Sequence, residues 1–179
     1  LRDLVQKTVD AFGAVDVVVN NAANALAMPL GEFTLDAWNK SMDVNLRGPV
    51  FLVQEALPWL KKSPHAAVLN VLTGAAFLFS STISLYAIGK AGLLAATRAM
   101  AAEFEPFGIR VNALSPGTVD TDMVRKNTHE AQDVMTSIQL MKRMASPDEM
   151  VGPALMLTSD AGSFITGQVV FADGGMVPR

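Results

Sequence analysis

Ala66-Ala67-Val68-Leu69-Asn70-Val71-Leu72-Thr73-Gly74 is the stretch on which the fold turns. It is short, apolar and rich in β-branched residues, with no regular polar alternation. Such a run reads as a strand buried on both faces, which is the habit of a parallel sheet. It ends at Thr73-Gly74, where a loop begins. Thr73 therefore stands at the carboxyl end of a strand, where open α/β sheets bind ligands. Two other runs behave the same way. Val15-Asp16-Val17-Val18-Val19 ends at Asn20-Asn21-Ala22-Ala23, and Ile109-Arg110-Val111-Asn112-Ala113-Leu114 ends at Ser115-Pro116-Gly117-Thr118-Val119-Asp120-Thr121.

Helical patterns fill the gaps between these runs. Residues 1–13 read as an amphipathic helix stopped by Gly13. Thr34 is a candidate N-cap for residues 35–44. A longer helix is expected over residues 45–61, with Pro49 inside it. Proline donates no hydrogen bond to the carbonyl four residues back, which is that of Asn45, so a bend is expected there. A further helix is expected over residues 84–104, its alanines and glycines suited to close packing. Ser146-Pro147-Asp148-Glu149 is a capping box with proline at the first helical position. The methionine-rich segment 122–144 reads either as ordinary core packing or as a lid, and the lid is favoured because methionine repacks readily around apolar ligands. Alternating helices and strands mean an α/β fold with a parallel sheet and crossover helices, in one domain over residues 1–179.

Composition narrows the function. Half of the 179 residues are hydrophobic and 17% are charged, which suits a packed domain. Net charge is −3, so no basic footprint for nucleic acid exists. There is no cysteine, which removes disulfides and thiolate metal sites. No apolar run approaches the ~18 residues of a membrane span. No His or carboxylate pair shows metal-ligand spacing, so no metal is expected.

Leu85-Tyr86-Ala87-Ile88-Gly89-Lys90-Ala91-Gly92 carries the chemistry. A spacing of four puts Tyr86 and Lys90 on one helix face, one turn apart. A phenol beside an ammonium is suited to proton transfer. On its own the pair is as consistent with an ordinary helix face; the landmarks at the three strand ends tip the reading towards catalysis.

Together these motifs resemble the short-chain dehydrogenase/reductase family, over essentially the whole chain. The family's Tyr-x-x-x-Lys matches Tyr86 and Lys90, and its catalytic serine position matches Thr73. Its Asn-Asn-Ala-Gly turn matches residues 20–23, with Ala23 replacing glycine. Its catalytic asparagine matches Asn45, and its Pro-Gly and following Thr match Pro116, Gly117 and Thr121. Gly167-Gln168-Val169-Val170-Phe171-Ala172-Asp173-Gly174-Gly175 looks like its last strand and Asp-Gly-Gly ending. The family's opening glycine-rich turn, which seats a cofactor pyrophosphate on a helix N-terminus, has no counterpart. The chain therefore reads as a doubly wound Rossmann-type fold that is N-terminally truncated.

The resemblance implies oxidoreduction between a carbonyl and a secondary alcohol with NAD or NADP. Tyr86 would move the hydroxyl proton. Lys90 would lower the Tyr86 pKa and hold the nicotinamide ribose. Thr73 would orient the substrate oxygen, and Asn45 would hold a relay water. Asn20, Ala22, Tyr86, Lys90, Pro116, Gly117, Val119 and Thr121 would contact the cofactor. It further implies a small, partly apolar substrate, a homodimer or homotetramer, and a cytoplasmic location without nucleic-acid or membrane partners. The competing reading is a catalytically silent fragment with a structural or partner-binding role. Residues 15–19 are expected at an exposed sheet edge.

Overall fold

The computed structural model describes residues 1–178. Four strands form one parallel sheet in the order β1-β2-β3-β4: β1 (Val17–Asn20), β2 (Ala67–Val71), β3 (Arg110–Pro116) and β4 (Val169–Ala172). Val18 stands opposite Val68, Val68 opposite Val111, and Leu114 opposite Val170. Parallel neighbours need crossovers, and the helices supply them. These are α1 (Arg2–Phe12), α2 (Leu35–Met42), α3 (Gly48–Leu60), α4 (Ser84–Phe104), α5 (Asp122–Arg125), α6 (His129–Ser137) and α7 (Val151–Thr158).

Local signals set the ends of these elements. Gly13 takes the left-handed conformation (φ 79°), and its N–H returns to the Val9 carbonyl, closing α1. The Thr34 hydroxyl accepts from the Ala37 N–H at 3.1 Å and opens α2. The Glu149 carboxylate accepts from the Ser146 N–H at 2.8 Å, although the first turn there is 3-10 and the α-helix begins only at Val151.

Residues 45–61 differ from expectation in one informative way. α2 passes into a π-helical turn, Asp43–Arg47, and only then into α3, so the helix around Asn45 is interrupted rather than continuous from residue 45. The Gly48 N–H donates to the Asp43 carbonyl, five residues back. Pro49 follows at once, and its lack of an N–H favours this wider turn. A Cβ on Gly48 would come within 2.8 Å of the Asp43 carbonyl oxygen, so glycine permits the geometry.

The two sheet faces are covered unequally. Val18, Val68 and Val111 pack with Val53, Ala56 and Leu60 of α3, Met100 and Ala101 of α4, and Val5 of α1. On the opposite face Leu69 and Leu114 pack against Leu157 of α7. Among the described residues β1 pairs only with β2 and lies at the sheet edge, as expected; Val17 and Val19 are 39% and 50% exposed. A buried polar chain crosses the covered face: Asn20 Nδ2 donates to Asn70 Oδ1 (2.8 Å), Asn70 Nδ2 to Thr97 Oγ1 (2.9 Å), and Thr97 Oγ1 to the Leu93 carbonyl (2.8 Å). Every member is satisfied, so the network fixes β1, β2 and α4 in register without the cost of a stranded polar group.

Candidate active site

The carboxyl ends of the strands, the start of α4 and the π-helical turn converge. α4 supplies Tyr86 and Lys90 one turn apart, with Gly89 between them. A Cβ on Gly89 would stand 2.8 Å from Asn45 Cβ, and one on Gly92 2.9 Å from Leu46 Cδ2. These glycines thus let the π-helical turn press against the face that carries the Tyr–Lys pair. The close packing expected of these small residues is made here within the chain.

Asn45 is fully buried. Its Nδ2 donates to the Asn24 carbonyl at 2.7 Å and to Ser41 Oγ at 3.2 Å, while its Oδ1 accepts from the Asn24 N–H at 3.0 Å. The side chain therefore clamps the loop after β1 through both polar groups of one peptide residue. The side-chain amide is committed to that loop and to Ser41.

Lys90 is the largest fully buried side chain. Its Nζ donates to the Val71 carbonyl at 2.7 Å, at the end of β2, and lies 5.9 Å from the centre of the Tyr86 ring. Burial pushes its pKa from 10.5 down to about 8. Thr73 has an extended backbone and follows β2. Its hydroxyl accepts from the Ala75 N–H at 3.3 Å and also hydrogen-bonds the Tyr86 side chain. Burial raises the Tyr86 pKa, and the Thr73 hydrogen bond opposes that rise in part. In place of the expected lowering by Lys90, desolvation dominates both groups, and one N–H of the ammonium is given to a backbone carbonyl.

The other expected cofactor contacts fall in two places. Asn20 turns inward to Asn70, so its side chain ties strand to strand, while Ala22 is exposed in the following loop. Pro116, Gly117, Val119 and Thr121 continue from β3 into the lid. The Gly117 N–H donates to the Ala172 carbonyl at 3.0 Å, and a Cβ there would meet the Asp173 backbone at 2.7 Å. Glycine is required by this close approach. Val119 bridges to Ala145, and Thr121 Oγ1 points back to the Val119 carbonyl at 3.4 Å. No side chain of these four meets Tyr86 or Lys90 in a hydrogen bond or ion pair among the described residues.

Sequence reasoning missed Asn24, Ser41, Asn70, Thr97 and Gln139. They are single polar residues whose partners lie 2 to 50 positions away, so no common local spacing marks them. No cluster of His, Cys, Asp and Glu among the described residues is placed to hold a metal. No helix among them is long and apolar enough to cross a membrane.

The residues fit one end of a dinucleotide. A buried cation, a half-buried phenol and a hydroxyl at a strand end form a polar patch suited to a nicotinamide ribose and a substrate oxygen. A glycine-rich strand-to-helix turn for a pyrophosphate is not among the described residues: β1 is followed by a loop, and the next helix starts only at Leu35.

The family profile described as "Enoyl-(Acyl carrier protein) reductase" matches residues 1–177. The 3-oxoacyl-[acyl-carrier-protein] reductase of Thermotoga maritima is 32% identical over 177 residues, covering 99% of this chain and 72% of that protein. The L-rhamnose 1-dehydrogenase (NAD(P)(+)) of Azotobacter vinelandii is 34% identical, covering 97% of this chain and 69% of the relative. A gluconate 5-dehydrogenase from Burkholderia cenocepacia, solved in complex with NADP and tartrate, superposes with a TM-score of 0.92 at 30% identity, over 98% of this chain and 69% of that one. With its parallel sheet, its Tyr–Lys helix and these relatives, the chain belongs to the short-chain dehydrogenase/reductase family.

Proposed function

We propose that the protein is an NAD(P)-dependent oxidoreductase that interconverts a carbonyl and a secondary alcohol. The observation that carries this reading is the grouping of Tyr86, Thr73 and Lys90 at the end of β2, with the Thr73 hydroxyl on the phenol and the Lys90 ammonium on the Val71 carbonyl. The relatives named as NAD(P) enzymes support the cofactor class. When bound, the nicotinamide supplies the hydride.

The chain's own residues do the rest. Tyr86 gives its phenolic proton to the carbonyl oxygen in reduction and takes it back in oxidation. A phenol whose pKa is raised stays protonated at neutral pH, so it is ready as the acid of the reductive direction. Thr73 holds the same oxygen by its hydroxyl and orients it; the extra methyl relative to serine stiffens its rotamer. Lys90, with a pKa of about 8, remains largely protonated at pH 7 and offers its remaining N–H donors to the ribose. Asn45 keeps the loop after β1 against this face. Pro116, Gly117, Val119 and Thr121 border the nicotinamide end, and Ala22 the far ribose. Exposed apolar residues of the lid, Met123, Leu140 and Met141, favour a partly apolar substrate.

The chain is further proposed to form a homo-oligomer through the outer faces of α3 and α4, where Phe51, Ile88, Ala91 and Ala95 are exposed.

The test is turnover of NADH or NADPH with a panel of β-keto thioesters, sugar lactones and simple ketones. The assay uses the chain alone and the chain fused behind a relative's glycine-rich half. Consumption of nicotinamide with at least one carbonyl supports the reading. Silence of the fused form, with the fold intact by circular dichroism, favours a structural role instead.

A further inference from the structure

Between Thr118 and Leu157 the chain buries one residue, and it is a polar one: Gln139, 3% exposed. This span contains α5, α6 and the loop that returns to α7. Its apolar side chains face out: Val134, Ile138, Leu140 and Met141 are 65%, 53%, 81% and 54% exposed. Apolar burial thus contributes little to holding the span down. A cavity of about 180 Å³ lies beneath it, lined by Gly117, Thr118, Gln139, Met141, Asp173 and Gly174.

Hydrogen bonds hold the span: Ala145 N–H donates to the Thr118 carbonyl and Asp120 N–H to the Ala145 carbonyl, each at 2.9 Å, and Thr118 Oγ1 donates to the Met135 carbonyl at 3.2 Å. The one buried amide adds three more at its middle. Gln139 Oε1 accepts from the Thr118 N–H at 2.6 Å. Its Nε2 donates to the Met141 carbonyl at 3.1 Å and to the Arg143 carbonyl at 2.8 Å. An amide is suited to this because it carries an acceptor and two donors on one planar group. Thr118 follows directly on Pro116-Gly117, the turn at the end of β3. The Met141 N–H in turn donates to the Gly174 carbonyl at 2.9 Å, at the end of β4. Gly174 and Gly175 both have positive φ, and Cβ atoms there would stand 3.3 Å from Met141 Cβ and 2.7 Å from Leu140 Cδ1. The lid therefore passes over two bare strand ends and is fastened between them.

We infer that Gln139 is the latch of this lid: a positioning residue that fixes the span 119–145 against the ends of β3 and β4 and so sets how readily substrate enters beneath it. The latch rests on the hydrogen bonds above; its consequence for substrate rests on the oxidoreductase reading. Gln139 supplies three of the span's bonds and is its one buried side chain, so releasing it loosens the span, while the sheet keeps its own core. Charged groups around the latch are Arg143, paired to Glu149 at 2.7 Å, and Asp173, whose carboxylate accepts from the Gly175 and Val177 N–H groups.

Hydrogen exchange on the full chain separates the latch from catalysis. Gln139→Met keeps length and removes every hydrogen bond. Amides of residues 119–145 are expected to exchange at least about tenfold faster, with β2 and β3 unchanged. Gln139→Glu adds a readout that a space-filling role would not move. Ionised, the carboxylate still accepts from Thr118 but opposes the two carbonyls; protonated, it donates to one of them. Its exchange relative to wild type at the same pH is therefore expected to be larger at pH 8 than at pH 5. Where the enzyme turns over, Gln139→Met is expected to change KM at least about threefold with little change in kcat. Unchanged exchange over 119–145 in the Met variant overturns the latch. So does an increase spread equally over β2 and β3, or a Glu variant whose ratio to wild type is flat with pH. An inactive enzyme with the expected exchange pattern overturns the oxidoreductase reading and leaves the latch standing.

Discussion

Two regions at the carboxyl ends of the strands are built on opposite plans, and we treat them as an inner and an outer wall. The inner wall is α4 with the π-helical turn and the end of β2. Asn45, Gly89 and Lys90 are buried there, and Lys90 and Asn45 are held by backbone groups at 2.7 Å. The outer wall is the span 119–156, with one buried residue and a cavity beneath it. Under the proposed function, the difference separates two tasks. Proton transfer needs atoms held to within fractions of an ångström, and the inner wall holds them by burial even at a cost in charge desolvation. Admitting a substrate needs a part that moves, and such parts come from the low-stability end of a structure.

Substitutions should therefore act very differently on the two sides. The largest effect on stability is expected for Asn45→Ala. It strips the partners from both polar groups of Asn24 and leaves a cavity against Gly89. A loss of about 2–4 kcal/mol is expected in urea unfolding. A loss below about 1 kcal/mol would mean that the clamp is not needed.

Lys90 comes next. Its pKa is about 8 when folded and 10.5 ordinarily, so between these values the unfolded chain holds more protons than the folded one. Stability should then rise with pH across that window, by about 2–3 kcal/mol in total. Tyr86 acts with the opposite sign once the pH exceeds its ordinary value of 10.0, so the rise is best followed from pH 8 to 10. Lys90→Met should remove the slope. An equally steep rise in the variant would place its cause elsewhere.

Gly89→Ala gains about 1 kcal/mol of helix propensity. It also sets a methyl 2.8 Å from Asn45 Cβ, where overpacking costs about 1–3 kcal/mol. The neighbour is the root of a buried side chain and cannot swing away, so net destabilisation of up to about 2 kcal/mol is expected. On the outer wall, Val134→Ser and Leu140→Ser should each change stability by less than about 0.5 kcal/mol. Large losses there would show that the lid shares the core.

The inner wall was the more legible of the two in the sequence. The bounds of α4 and the facing of Tyr86 and Lys90 follow from helical spacing, and the strand ends follow from apolar runs meeting Thr73, Asn20 and Pro116. The π-helical turn was not legible, because proline signals only a missing donor and not how the backbone redistributes its bonds. The direction of the Tyr86 pKa was misread for a similar reason: sequence places a cation one turn away but does not reveal desolvation or the Val71 carbonyl that occupies it. Gln139 gave no signal at all. It is one polar residue in a methionine-rich stretch, and its partners belong to the backbone, which every sequence has.

The central claim is that Tyr86 moves the proton, and its replacement by phenylalanine in the cofactor-competent fused chain tests this most directly. Single-turnover measurement of carbonyl reduction, alongside nicotinamide binding by fluorescence, separates chemistry from affinity. The account predicts a loss of about 10²-fold or more in the chemical step, with the affinity for NADH or NADPH changed less than about threefold. A Tyr86→Phe protein that reduces the carbonyl within a factor of about three of wild type would contradict it.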